Sequence, residues 1–235
     1  RDAFTSPRTR TTRAGRLHFA AHSHHAWPDV TREAHLQAWD DAARLADHKW
    51  DRIFGQVVPE AQGHIARILD LEDPGQIAFA PNTHEFVVRL LSCLPPGKRP
   101  RIVTTDSEFM SFSRQTARLE EDGLAEVVRV SAEPFDTFAS RFIEAARVQG
   151  TDMVFFSQVF FNSGFVVRDL ERIVASAPAD ALVIVDGYHA FFAVPTSLRS
   201  IADRAFYVGG GYKYAQAGEG ACFLAVPRGF DRRPV

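Results

Sequence analysis

The sequence predicts an α/β fold built on a mostly parallel sheet, and three observations carry that prediction. From Gln76 onward, short apolar runs rich in β-branched residues alternate with amphipathic helical segments, as strands joined by crossover helices require. Two such runs, 182–185 and 205–208, end abruptly in polar chemistry. The first stops at Asp186, with His189 just beyond, and the second breaks into Gly209-Gly210-Gly211 and then Tyr212-Lys213-Tyr214. The chain is also long enough for a sizeable core, at 235 residues of which 46% are hydrophobic. In open α/β sheets ligands collect at the carboxyl ends of strands, so Asp186 and Lys213 mark a candidate site.

Composition excludes several classes of function. A formal net charge of −2 carries no basic excess for nucleic acid. No apolar run approaches the length of a membrane span. Cys93 and Cys222 are too few and too far apart for a disulfide framework and predict a reducing, cytoplasmic setting. The Arg- and Thr-rich residues 1–16 read as a mobile arm without a signal peptide, and no internal repeat is present.

In chain order, the arm is followed by HFAAHSHHAWPDV. His18, His22, His24 and His25 invite a metal reading, but His22 and His24 stand two apart, no Cys or acidic partner falls at ligand spacing, and Pro28 breaks the segment. Hydrogen-bonded loop histidines are the alternative. Asp29 then caps a helix predicted to run to about Trp50, with Ala34, Ala38, Ala42, Leu45 and Ala46 as its apolar stripe. A second helix is predicted over 59–71, with Ile65, Ile68 and Leu69 facing inward. Residues 1–75 thus form an arm and helices, and 76–235 the α/β domain.

Within that domain, 77–80 is a strand, and Pro81-Asn82-Thr83 leads into a helix carrying Phe86, Val87, Leu90, Leu91 and Leu94. Asn82 or Thr83 caps it and leaves free N–H groups at a positive dipole end, which suits a phosphate. His84-Glu85 begins like HExxH, but Val88 occupies the last place. Further strands are predicted at 102–105, 125–131 and 153–159, and further helices at 112–121, 137–148 and 168–175. The first of these strands leads through Asp106-Ser107-Glu108 to Phe109, and the third closes in Ser157-Gln158. No GxGxxG follows the first strand, no GxxxxGK[ST] loop exists, and Ser163 lacks the glycine of a nucleophile elbow.

A strand-end carboxylate and a strand-end amine could form a buried ion pair. They are also the two groups that a pyridoxal 5'-phosphate (PLP) site requires: a lysine to form the Schiff base with the aldehyde and an aspartate to keep the pyridine nitrogen protonated. The run Asp186-Gly187-Tyr188-His189, followed by Gly211-Tyr212-Lys213-Tyr214 and the glycine-spaced turn at Gly218 and Gly220, resembles fold-type I PLP enzymes of the class V aminotransferase group. Within that group it is most similar to kynureninase. The match is strongest over 157–224 and extends back to about Ala78.

The resemblance implies a three-layer fold, a homodimer, and a smaller C-terminal domain missing past Val235 that would supply the arginine for the substrate carboxylate. It assigns Lys213 to the Schiff base and to Cα-proton removal, Asp186 to the pyridinium, and His189 to the neighbourhood of the ring's 3-oxygen. Phe109 would stack on the ring, Thr83 with Asn82 would hold the phosphate, and Ser157 or Gln158 would add polar contacts. Tyr212 would act as general acid or touch the phosphate. The implied substrate is a kynurenine-type amino acid cleaved hydrolytically between Cβ and Cγ. A transaminase, a cysteine desulfurase-like lyase, for which Cys222 reads as packed core, or an inactive subunit remain as alternatives. One departure bears on the substrate: kynureninases carry Asn-Ser-Leu-Gly where this chain has His22-Ser23-His24-His25.

Overall fold

The computed structural model describes residues 19, 20 and 22–234. The expectations for the arm at 1–16 and for His18 fall outside the described residues. Seven strands form one mixed sheet: β1 (Ile77–Ala80), β2 (Arg101–Thr105), β3 (Glu126–Val130), β4 (Thr151–Ser157), β5 (Leu182–Asp186), β6 (Phe206–Gly210) and β7 (Cys222–Ala225), in the order β1-β7-β6-β5-β4-β2-β3. The five central and far-edge strands run parallel, whereas β7 is antiparallel to both β6 and β1. Residues 211–221 join β6 to β7, a connection too short for a helical crossover, so the chain returns antiparallel.

Strand alternation sorts the core into two layers. Val154, Phe156, Val183 and Val185 face one side, where they pack with Ala66, Phe138, Phe142, Ile173 and Val174. Met153, Phe155, Leu182 and Ile184 face the other, against Phe86, Val87, Leu90 and Phe112. Helices α3 (Val58–Ile68), α6 (Phe138–Ala146) and α7 (Leu170–Ser176) therefore cover the first face, and α4 (Thr83–Ser92) and α5 (Met110–Glu121) the second. Every residue of β4 and β5 is buried. That explains why their inner residues, 153–156 and 182–185, read as continuous apolar runs with no polar alternation.

The N-terminal helices differ from expectation. Helix α1 (Asp29–Leu45) starts after Pro28 with no side-chain cap from Asp29, and it ends where Ala46 adopts φ +49°. A 3₁₀ turn, the short α2 (Lys49–Arg52) and a π-turn (Ile53–Val57) then lead into α3. Only Thr31 and Asp41 are buried in α1, so the alanine stripe faces outward. Asp41 collects Gln37, Arg44 and Arg52 instead. In the next helix Ile68 is 40% exposed and Leu69, just past its end, is buried. Periodicity located the apolar face of these helices but carried no information on what covers it.

Candidate active site

The carboxyl ends of β5 and β6 lie side by side, because Asp186 pairs in register with Val208. On the far side of β5, Ser157 of β4 pairs with Asp186. The antiparallel strands bring the end of β1 to the same edge, since Ala80 and Gly210 both pair with Cys222. The start of α4, the end of β5 and the loop after β6 thus converge. They enclose a cavity of about 160 Å³ lined by Asn82, Thr83, His84, Phe109, Ser111, Asp186, Tyr188, His189, Tyr212 and Lys213.

Two glycines allow this convergence. A Cβ at Gly187 would overlap the Tyr207 ring, and one at Gly210 would overlap the Tyr188 ring. Tyr188 therefore lies against the β6 backbone and forms part of the cavity wall.

Asp186 is 6% exposed, and its carboxylate accepts the Tyr188 backbone N–H at 2.9 Å. Burial pushes its pKa up to about 6, opposed by that hydrogen bond and by the Lys213 charge. Lys213 is 5% exposed; burial lowers its pKa, while the Asp186 charge acts the other way. Its Nζ donates to the His22 carbonyl at 3.0 Å and lies 2.8 Å from His189 Nε2. An ammonium has no lone pair, so His189 is the acceptor in that contact. Burial, then the charges of Lys213 and His22, hold the imidazole pKa down to about 4, which keeps it neutral. Phe109, Tyr188 and Tyr212 surround the amine, with ring centroids 5.7, 5.7 and 5.3 Å from Nζ.

At the other wall, Asn82 accepts the Glu85 N–H at 3.0 Å and caps α4. The Thr83 hydroxyl lies 3.7 Å from Cys222 Sγ. Cys222 itself is fully buried, its thiol bonded to the Gly209 carbonyl and its pKa pushed up to about 12 by burial, so it packs rather than reacts.

Of the residues singled out from sequence, Asn82, Thr83, Phe109, Asp186, His189, Tyr212 and Lys213 line the one cavity. Ser157 does not. Its hydroxyl lies 2.5 Å from Glu108 Oε2. Gln158 is buried between Tyr207 and Thr196. Sequence reasoning passed over His84, Ser111 and Tyr188 on the cavity wall and Glu108 behind it. Among the described residues no group of three or more His, Cys, Asp or Glu side chains forms a metal site. The histidine segment packs on the Lys213 loop: His24 meets Tyr212 at 5.8 Å, His25 bonds Gln216, and Thr31 donates to the Gln216 carbonyl at 2.8 Å.

Comparison with known proteins adds a family. Residues 28–228 match the model of the aminotransferase class-V family. No curated protein matches at the sequence level. Among solved structures, the chain is similar to the cystine C-S lyase C-DES in complex with its product cysteine persulfide (18% identity, TM-score 0.73, 88% of this chain and 56% of that one). It is likewise similar to a NifS-like protein (18%, 0.74, 92% and 60%) and to the apo cysteine desulfurase of Thermococcus onnurineus NA1 (18%, 0.69, 89% and 53%). The chain therefore spans little more than half the length of these neighbours, and at such identities they share its fold.

Proposed function

From the premise that this chain belongs to the class V aminotransferase family, we propose that it is the cofactor-binding part of a PLP-dependent enzyme that removes the Cα proton of an amino acid and cleaves a bond at its β-carbon. The observation that carries this reading is the placement of Asp186 and Lys213 in one buried cavity, each bonded to other partners and not to one another. A structural ion pair would have closed that gap.

The residues present fit the cofactor. Lys213 Nζ is the amine that would hold its aldehyde, and Asp186 the carboxylate for its pyridine nitrogen. The capped start of α4, with Asn82 and Thr83, offers backbone N–H groups to a phosphate. Phe109 and Tyr188 supply apolar faces on the cavity wall. When bound, PLP supplies an electron sink for negative charge at the substrate's Cα.

The chain's own groups supply the rest. Burial lowers the proton affinity of Lys213, so more of its amine is unprotonated and free to accept the Cα proton. The Asp186 carboxylate, desolvated and bonded to one backbone N–H, holds a positive charge opposite it. Neutral His189 accepts from the Lys213 amine and orients it. Burial raises the pKa of Tyr212, so its phenol remains a proton donor beside the lysine.

Support for a lyase acting on a sulfur amino acid comes from the C-S lyase and desulfurase neighbours. A kynurenine-type substrate is the second reading, favoured by the aromatic rim. Phe161, 41% exposed, meets Phe109 edge-on at 5.4 Å and lies 6.4 Å from His189. Incubation with PLP in D₂O tests the shared step: Cα-deuterium incorporation into amino acids is expected, lost in Lys213→Ala. Sulfide or persulfide from cystine supports the first substrate, and alanine with anthranilate from kynurenine the second. No exchange with any amino acid would overturn the reading.

A further inference from the structure

Glu108 lies between β2 and α5, just before Phe109, and is 5% exposed. Its Oε1 accepts from the Thr105 hydroxyl at 2.6 Å and from the Ser157 N–H at 3.1 Å, and its Oε2 lies 2.5 Å from Ser157 Oγ. No Lys, Arg or His pairs with it among the described residues. The charged group that faces it is Asp186, on the strand next to Ser157, and that charge is negative. An unpaired buried carboxylate beside another is unfavourable, and the remedy is to keep one of the two protonated. The contacts accommodate a neutral acid: Oε1 accepts twice as a carbonyl oxygen, and the Ser157 hydroxyl, which donates to an ionised Oε2, turns to accept once Oε2 carries the proton. Burial pushes the Glu108 pKa up to about 7 against the hydrogen bonds from Ser157 and Thr105, with the Asp186 charge acting in the same direction as burial.

We infer that Glu108 is a positioning residue of the site, a neutral carboxylic acid that ties the Phe109 turn to the end of β4 and leaves Asp186 as the ionised carboxyl of the two. This rests on the PLP reading above. Phe109 lines the cavity directly, so a clamp on the preceding residue fixes the ring that faces the cofactor. Ser157 then acts as the partner of this clamp and touches no ligand itself.

Glutamine reproduces the hydrogen bonds of a neutral glutamic acid and cannot ionise, so Glu108→Gln separates this role from that of a carboxylate. The first readout is thermal melting of the cofactor-free chain from pH 5 to pH 8. A carboxyl whose folded pKa is raised loses its stabilising contribution as pH climbs through that value. The melting temperature of Glu108→Gln should therefore gain on wild type as pH rises. A difference that does not change with pH, or Glu108→Gln being the less stable at pH 8, overturns the inference. The second readout is PLP affinity by visible absorbance. Glu108→Gln should bind within about threefold of wild type, whereas Glu108→Ala should bind roughly tenfold or more weakly, the scale of one lost buried hydrogen bond. Glu108→Gln binding as poorly as Glu108→Ala, with wild type binding well, overturns the inference and leaves the PLP reading intact. Absence of PLP binding by wild type overturns both.

Discussion

Asp186 and Lys213 face one cavity without forming an ion pair: the carboxylate takes the Tyr188 N–H, and the amine is shared between the His22 carbonyl and His189. Two opposite charges kept apart at the edge of a low-dielectric core leave a gap that a polar, planar ligand can bridge. The electrostatics of the site follow from this separation.

Replacing Asp186 with asparagine keeps the shape and the acceptor for Tyr188 but removes the charge. Cα-deuterium exchange with bound PLP should fall by about a hundredfold or more, the scale of losing one preorganised electrostatic contact. Stability should move the other way. Asp186 has a folded pKa raised from 3.8 to about 6, so its contribution is present below 3.8 and lost as pH rises through 6. The melting temperature of cofactor-free Asp186→Asn should thus gain on wild type between pH 4 and pH 8.

Histidine 189 titrates with the opposite sign. Its folded pKa is depressed from 6.5 to about 4, so its neutral form stabilises the fold above pH 6.5 and that contribution is lost as pH falls toward 4. Over pH 6.5 to 4, His189→Gln should flatten part of the wild-type decline in melting temperature, measured by circular dichroism.

Gly210 is required by the close approach of Tyr188. A methyl group at this position would overlap that ring and drive it toward the cavity. Gly210→Ala should lower the melting temperature by roughly 2–10 °C, the range for overpacking in a chain of this size. It should also weaken PLP binding, measured by absorbance titration.

Phe109 should matter to affinity more than to folding, because its ring is partly exposed and faces the cavity. Phe109→Ala should raise the PLP dissociation constant by up to about tenfold, consistent with one aromatic contact. Its melting temperature without cofactor should change little.

Much of this was legible in the sequence. The alternation from Gln76 onward predicted the parallel core, and the abrupt ends at Asp186 and Gly211 predicted the edge where the cavity forms, because a buried strand must stop where polar groups begin. Glu108 was not legible. Its burial depends on Ser157, 49 residues away in sequence, and nothing in DSEF distinguishes a buried glutamate from a solvated one. A glutamate directly before the expected stacking aromatic was the available signal. The partner of Ser157 was hidden for a related reason: a strand-end serine reads the same in sequence whether it meets a ligand or a carboxylate brought in by a distant loop. The antiparallel β7 follows from loop length, a cue that local apolar patterning does not contain.

The most direct test is covalent trapping. The chain is mixed with PLP, reduced with borohydride, digested, and mapped by mass spectrometry. The PLP reading predicts a reduced phosphopyridoxyl adduct on the peptide carrying Lys213, and none in Lys213→Ala. Adducts spread over surface lysines such as Lys49 and Lys98, with Lys213 unlabelled, would contradict it.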